Sequence, residues 1–122
     1  MAGPDRIELR GLRLQATLGV PDAERARPQP IEVDLDLTLD LAAAAASDDL
    51  GATVDYGAVL DAVAAVATGS DYRLLEALAD AVARAVLADG RVEEVAVRVR
   101  KTAPPVPHDL DSAGVHLSRR RV

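Results

Sequence analysis

The chain has 122 residues, 49% of them hydrophobic, with no cysteine, phenylalanine or tryptophan, and tyrosine only at Tyr56 and Tyr72. This composition describes a single domain, residues 1–122, with an aliphatic core and no disulfide, redox thiol or Cys-ligated zinc. A net charge of −6 argues against nucleic acid as a partner, since no basic field would draw phosphates.

The opening "MAGPDR" lacks the apolar stretch of a secretory signal, so the cytoplasm is the expected location. "IELRGLRLQATLGV" reads as a strand with a fault. Ile7 and Leu9 share one parity, while Leu12, Leu14, Ala16 and Leu18 carry the other, and a β-bulge near Gly11 would return both sets to one face. Gly19 to Pro30 is a connection whose prolines keep it out of the ladder. "IEVDLDLTLDL" then alternates without fault, turning Ile31, Val33, Leu35, Leu37, Leu39 and Leu41 inward. "AAAAASDDLGAT" is a linker with some helical tendency. The apolar run from Leu41 to Ala46 falls far short of the ~18 residues of a membrane span, so no membrane is expected.

From Asp55, "DYGAVLDAVAAVA" has helical spacing, and Thr68, Gly69 and Ser70 break it. Ser70 is the expected N-cap of a second helix, whose stripe runs Leu74, Leu75, Leu78, Val82, Val86 and Leu87, with Gly90 at C′. "EEVAVRVR" turns Val95, Val97 and Val99 inward, and "SAGVHLSRRR" turns Ala113, Val115 and Leu117 inward. The terminal arginines read as a solvated strand end. The order is ββααββ: an α+β fold in which two helices cover one face of a four-stranded antiparallel sheet. The other face is polar, and Glu32, Asp34 and Asp36 would pair with Arg98 and Arg100 if their strands are neighbours. Open sheet edges favour association with further copies.

Taken singly, the polar residues have plain explanations. Glu76 suits an exposed helix position one turn from Arg73, Glu24 a loop, and Tyr56 the first turn of a helix. His108 and His116 have no metal-binding spacing, and the chain has neither a Gly-rich phosphate loop nor a nucleophile elbow, so neither metal nor cofactor is expected. Lys101 stands out as the one lysine beside thirteen arginines, at the end of a strand before "TAPPVP". A lysine can exchange a proton in a desolvated pocket, and an arginine cannot.

Together, "IELRGL", "GVPDAERARPQPIEVD", "SDDLGATVDYGAV", "LLEALAD", "VAVRVRKTAPPVP" and "DSAGVHL" resemble the dihydroneopterin aldolase family, from about residue 6 to residue 120. The resemblance implies the tunnelling fold and homo-oligomers closed edge to edge, tetrameric rings usually stacked as octamers. It implies retro-aldol cleavage of 7,8-dihydroneopterin, in folate biosynthesis, to 6-hydroxymethyl-7,8-dihydropterin and glycolaldehyde, without metal or cofactor. Lys101, Glu24 and Tyr56 take the catalytic roles, Tyr56 reaching in from a neighbouring subunit. Glu76 anchors the pterin, with Val54 and Leu75 beside it. The chain departs from the family at Thr102, where a proline usually follows the lysine, and at Ile31, where an aromatic is usual. Alternatives are epimerisation of dihydroneopterin or its triphosphate, and a silent ring that binds pterin-like edges. Pyruvoyl-tetrahydropterin synthase, which shares the architecture, needs three zinc-binding histidines, and this chain has only two histidines.

Overall fold

The computed structural model describes residues 5–121. Four antiparallel strands form one sheet in chain order: β1 (Arg6–Ala16), β2 (Gln29–Thr38), β3 (Glu94–Lys101) and β4 (Ala113–Arg120). Between β2 and β3 lie a short helix α1 (Ala42–Ser47) and two longer ones, α2 (Tyr56–Thr68) and α3 (Leu75–Leu87). Helix α3 lies against β3 and β4, and α2 packs on β1 and α3. The expected ββααββ order holds, and α1 is an addition within the alanine-rich linker. It ends at Asp48 in a left-handed conformation, with the Asp48 N–H donating to the Ala44 carbonyl.

The fault in β1 is a bulge. Leu9 pairs with Leu35 and Leu12 with Val33, so Arg10 and Gly11 together oppose Asp34. Gly11 has φ +69°, which a glycine adopts without steric cost, and its N–H donates to Asp34 Oδ1 at 2.7 Å. The bulge returns Ile7, Leu9, Leu12, Leu14 and Ala16 to the core face. There they meet the buried rows Ile31–Leu37 of β2 and Val95–Val99 of β3, with Leu39 just beyond β2 and Val63, Leu78, Val82 and Val86 from the helices.

The outer face carries the expected charge ladder, with Arg100 as its centre. Arg100 bonds Glu32 at 2.6 Å and Asp34 at 2.9 Å, and Arg10 bonds Asp36 at 2.7 Å. Arg98 stands opposite Asp34 in register, but Asp34 is engaged by Gly11 and Arg100 instead. Burial pushes the Asp34 carboxyl up, and the Gly11 and Arg100 hydrogen bonds and the nearby guanidinium charges outweigh it, leaving it below its ordinary range.

Three local expectations need correction. Pro30 lies inside β2, opposite Gln15. Pairing with β3 begins only at Ile31, so its missing N–H costs no rung on that side. Ser70 does not cap α3: the helix begins at Leu75 after Leu74, because Tyr72 is drawn into a parallel bridge with Leu18. Gly90 is not the C′ residue either. Ala88 is the C-cap, closed by its N–H on the Arg84 and Val86 carbonyls.

Candidate active site

Two polar side chains interrupt the aliphatic rows that face the core. The inward row of β2 begins at Gln29, before Ile31, Val33, Leu35 and Leu37; that of β3 ends at Lys101, after Val95, Val97 and Val99. Ile31 pairs with Lys101, so both polar residues emerge at the same rim of the sheet. Both reach one carboxylate. Lys101 Nζ lies 2.7 Å from Glu24 Oε2. Gln29 Nε2 donates to the same oxygen at 2.9 Å and to the Leu18 carbonyl at 2.6 Å. The Lys101 and Glu24 side chains are each only 14% exposed. Burial pushes the Glu24 carboxyl up, but the Gln29 and Lys101 hydrogen bonds and the Lys101 charge prevail, holding it below the ordinary glutamate range.

The approach of Glu24 depends on Gly19. This residue is buried, has φ +141°, and packs so closely on Glu24 that an added Cβ would overlap the carboxylate. Glu24 itself opens a three-residue 3-10 turn, Glu24–Ala26, and its N–H donates to the Pro21 carbonyl at 3.0 Å.

The second wall is the start of α3, tied to the first through Tyr72. Gly19 N–H donates to the Tyr72 carbonyl at 2.9 Å, Tyr72 N–H to the Thr17 carbonyl at 3.0 Å, and the phenol O–H to the Val66 carbonyl at 2.8 Å. This pairing delays the helix until Leu75 and sets Glu76 in its first turn, where the positive end of the helix favours a carboxylate. Among the described residues no ion pair joins Glu76 to Arg73. The turn Pro104–Val106 closes a third side. The cleft enclosed measures about 710 Å³, a volume suited to a small heterocycle. Its lining is apolar at Val20, Leu74, Leu75, Pro104, Pro105 and Val106, and polar at Glu24, Arg73, Glu76 and Lys101.

Of the six expected site residues, the cleft therefore gathers Glu24, Leu75, Glu76 and Lys101. Val54 and Tyr56 do not line it. Val54 is 1% exposed in the core, and Tyr56 opens α2 at 58% exposure, behind Asp55, which caps the helix through Gly57 N–H and Ala58 N–H. Gln29 is the residue to which sequence reasoning assigns no role. Its signal is its parity: a polar side chain at an inward position of an otherwise aliphatic strand. Leu74, expected in the core stripe, is half exposed and faces the cleft instead. Among the described residues no three of His, Cys, Asp and Glu gather where they could hold one metal ion, and no helix is long and apolar enough to cross a membrane.

The dihydroneopterin aldolase family model matches residues 7–118. The chain belongs to the dihydroneopterin aldolase family. It is 42% identical to the dihydroneopterin aldolase of Streptomyces coelicolor, over 97% of this chain and 99% of that protein. Among solved structures it resembles the FolB protein of Vibrio cholerae with a TM-score of 0.91 at 29% identity, covering 98% of this chain and 99% of the other. It resembles the E. coli dihydroneopterin aldolase in complex with neopterin with a TM-score of 0.86 at 27% identity, covering 94% and 98% of the two chains. Both relatives have the sheet-and-helix architecture described above, the tunnelling fold.

Proposed function

We propose that the cleft binds 7,8-dihydroneopterin and cleaves it to 6-hydroxymethyl-7,8-dihydropterin and glycolaldehyde. The observation that carries this reading is the 2.7 Å contact between Lys101 and Glu24, set in one cleft with an anchor carboxylate at Glu76. The guanidine-like edge of the pterin offers two N–H donors, and Glu76 accepts both through parallel hydrogen bonds. Leu75 and the proline turn cover the faces of the ring.

In the reaction, the bond between the first and second side-chain carbons breaks and its electron pair moves into the ring C=N. The hydroxyl on the second carbon gives up its proton and leaves as the carbonyl of glycolaldehyde; a proton then returns to the first carbon. Because the ring is the electron sink, the protein supplies proton transfer, worth ~10²–10⁴-fold from positioned groups. Lys101, with Glu24 and a water, moves the protons at the hydroxyl and the ring nitrogen. Gln29 steadies Glu24 for this work. Tyr56, exposed at the start of α2, assists from a neighbouring copy in an edge-to-edge ring, tetrameric or stacked as an octamer, and Val54 sets the backbone leading to it. The setting is cytoplasmic, and the chemistry calls for no metal.

The test is to incubate the protein with dihydroneopterin and, separately, with its triphosphate, with and without a chelator, and to separate the products by chromatography. Expected are glycolaldehyde and 6-hydroxymethyl-7,8-dihydropterin from dihydroneopterin, undiminished by the chelator. A C2′ epimer as the main product would convert the enzyme to an epimerase. Recovery of unchanged substrate, although pterin binds, would leave a silent ring.

A further inference from the structure

Arg25 follows Glu24 directly, yet its side chain turns away from the cleft and back onto the loop that carries Glu24. Its Nη1 donates to the Gly19 carbonyl at 2.7 Å and the Val20 carbonyl at 2.8 Å, while Nη2 meets Asp22 Oδ1 at 2.5 Å. The Arg25 side chain is 16% exposed, whereas that of Asp22 is 95% exposed. An ion pair with so solvated a partner contributes little, so the carbonyl contacts are the ones that matter. Gly19 is buried, and a buried carbonyl needs a donor. Apart from Arg25, the loop backbone is held by Gly19 N–H on the Tyr72 carbonyl and Glu24 N–H on the Pro21 carbonyl. Glu24 sits on a single 3-10 turn whose N-cap, Ala23, provides no side-chain bond, and such short turns are weakly held on their own.

We propose that Arg25 is a positioning residue for proton transfer: its fork closes the loop from Gly19 to Glu24 and thereby sets the Glu24 carboxylate against Lys101. The inference rests on the aldolase reading of the cleft. Loss of the fork frees the Gly19 carbonyl and lets the loop relax, which draws Glu24 away from its two donors, Lys101 and Gln29. The pterin anchor on α3 is untouched. A lysine at this position keeps the charge, but its side chain is one atom shorter, so its ammonium falls short of the place where Nη1 meets both carbonyls.

The experiment compares wild type with Arg25→Ala and Arg25→Lys, measuring kcat, KM, affinity for 6-hydroxymethyl-7,8-dihydropterin and the pH profile of kcat/KM. Expected is a fall in kcat of about tenfold or more in both variants, since small misplacements of reacting groups cost that much. KM and product affinity stay within about threefold, because the anchor is intact. The acid limb of the profile moves to higher pH in both, since a Glu24 released from its donors keeps only the effect of burial, which raises its pKa. Unchanged kcat and an unmoved acid limb, even with a lowered Tm, would reduce Arg25 to a brace for folding and overturn the proposal. An equal loss of kcat and product affinity would overturn it too, by showing that the loop shapes the cleft as a whole. If Arg25→Ala fails to assemble, Arg25→Lys carries the same readouts. Should wild type itself cleave nothing, the aldolase reading fails; titration of the Glu24 carboxyl by NMR in wild type and Arg25→Lys then still decides the positioning role, an upward shift supporting it and no shift overturning it.

Discussion

Lys101 and Gln29 hold positions at which their strands otherwise turn Val, Leu or Ile toward the core, and this parity alone marks them as a site. Burying a cation there is tolerable only because Glu24 meets it at 2.7 Å. The lone lysine and its inward parity are both legible in the sequence. Its partner, Glu24, is legible only through the resemblance to the family, because nothing local brings a loop glutamate to a strand end across the rest of the chain. Lys101→Arg tests whether the site needs a cation or a proton. The arginine keeps the charge, so the ion pair with Glu24, the fold and pterin affinity should persist nearly unchanged. Turnover at saturating substrate should fall by at least ~10²-fold, the lower range for a positioned acid–base group. A variant with near wild-type kcat would make Lys101 only a positive charge.

Element boundaries agree with the sequence at the β1 bulge and the start of α2, and depart from it at both ends of α3, which starts late at Leu75 and closes on its own carbonyls at Ala88. The β1 bulge is legible because Gly11 falls where the apolar parity switches, and the helical spacing expected from Asp55 agrees with α2, which begins at Tyr56. The start of α3 is not, because Ser70 is a sound cap by local rules until Tyr72 pairs with Leu18. That delay is what places Leu74 and Glu76 at the cleft. Among the described residues, the two glycines with positive φ also differ. Gly11 has open space where a Cβ would go, whereas a Cβ on Gly19 would strike Glu24. Gly11→Ala should therefore cost about 1–2 kcal/mol of stability from the left-handed backbone alone, with kcat unchanged, as measured by urea unfolding and steady-state assay. A loss of activity exceeding the loss of stability would tie the bulge to the cleft, contrary to its place on the far side of the sheet ladder.

The whole molecule has acid-sensitive anchors on both faces of its sheet. Glu24 and Asp34 are each held below their ordinary range in the folded state. A depressed carboxyl contributes stability that is fully present above its unfolded pKa of ~4 and is lost as pH falls through the lower folded value. Tm should thus decline below about pH 4, and Asp34→Asn should flatten part of that decline without touching the cleft. Assembly is the other property that belongs to the whole molecule. A four-stranded sheet with open β1 and β4 edges and an exposed Tyr56 is consistent with a ring in which each cleft borrows Tyr56 from its neighbour. Light scattering should then give a species larger than a dimer. Mixing provides the sharper test. Lys101→Arg and Tyr56→Phe subunits, each nearly inactive alone, should regain activity when co-expressed, because some clefts combine an intact Lys101 with a neighbour's intact Tyr56. With random mixing about a quarter of the clefts are intact on both counts, which sets the expected recovery. If Tyr56 served the cleft of its own chain, no mixture of the two variants would contain an intact site, and co-expression would recover nothing.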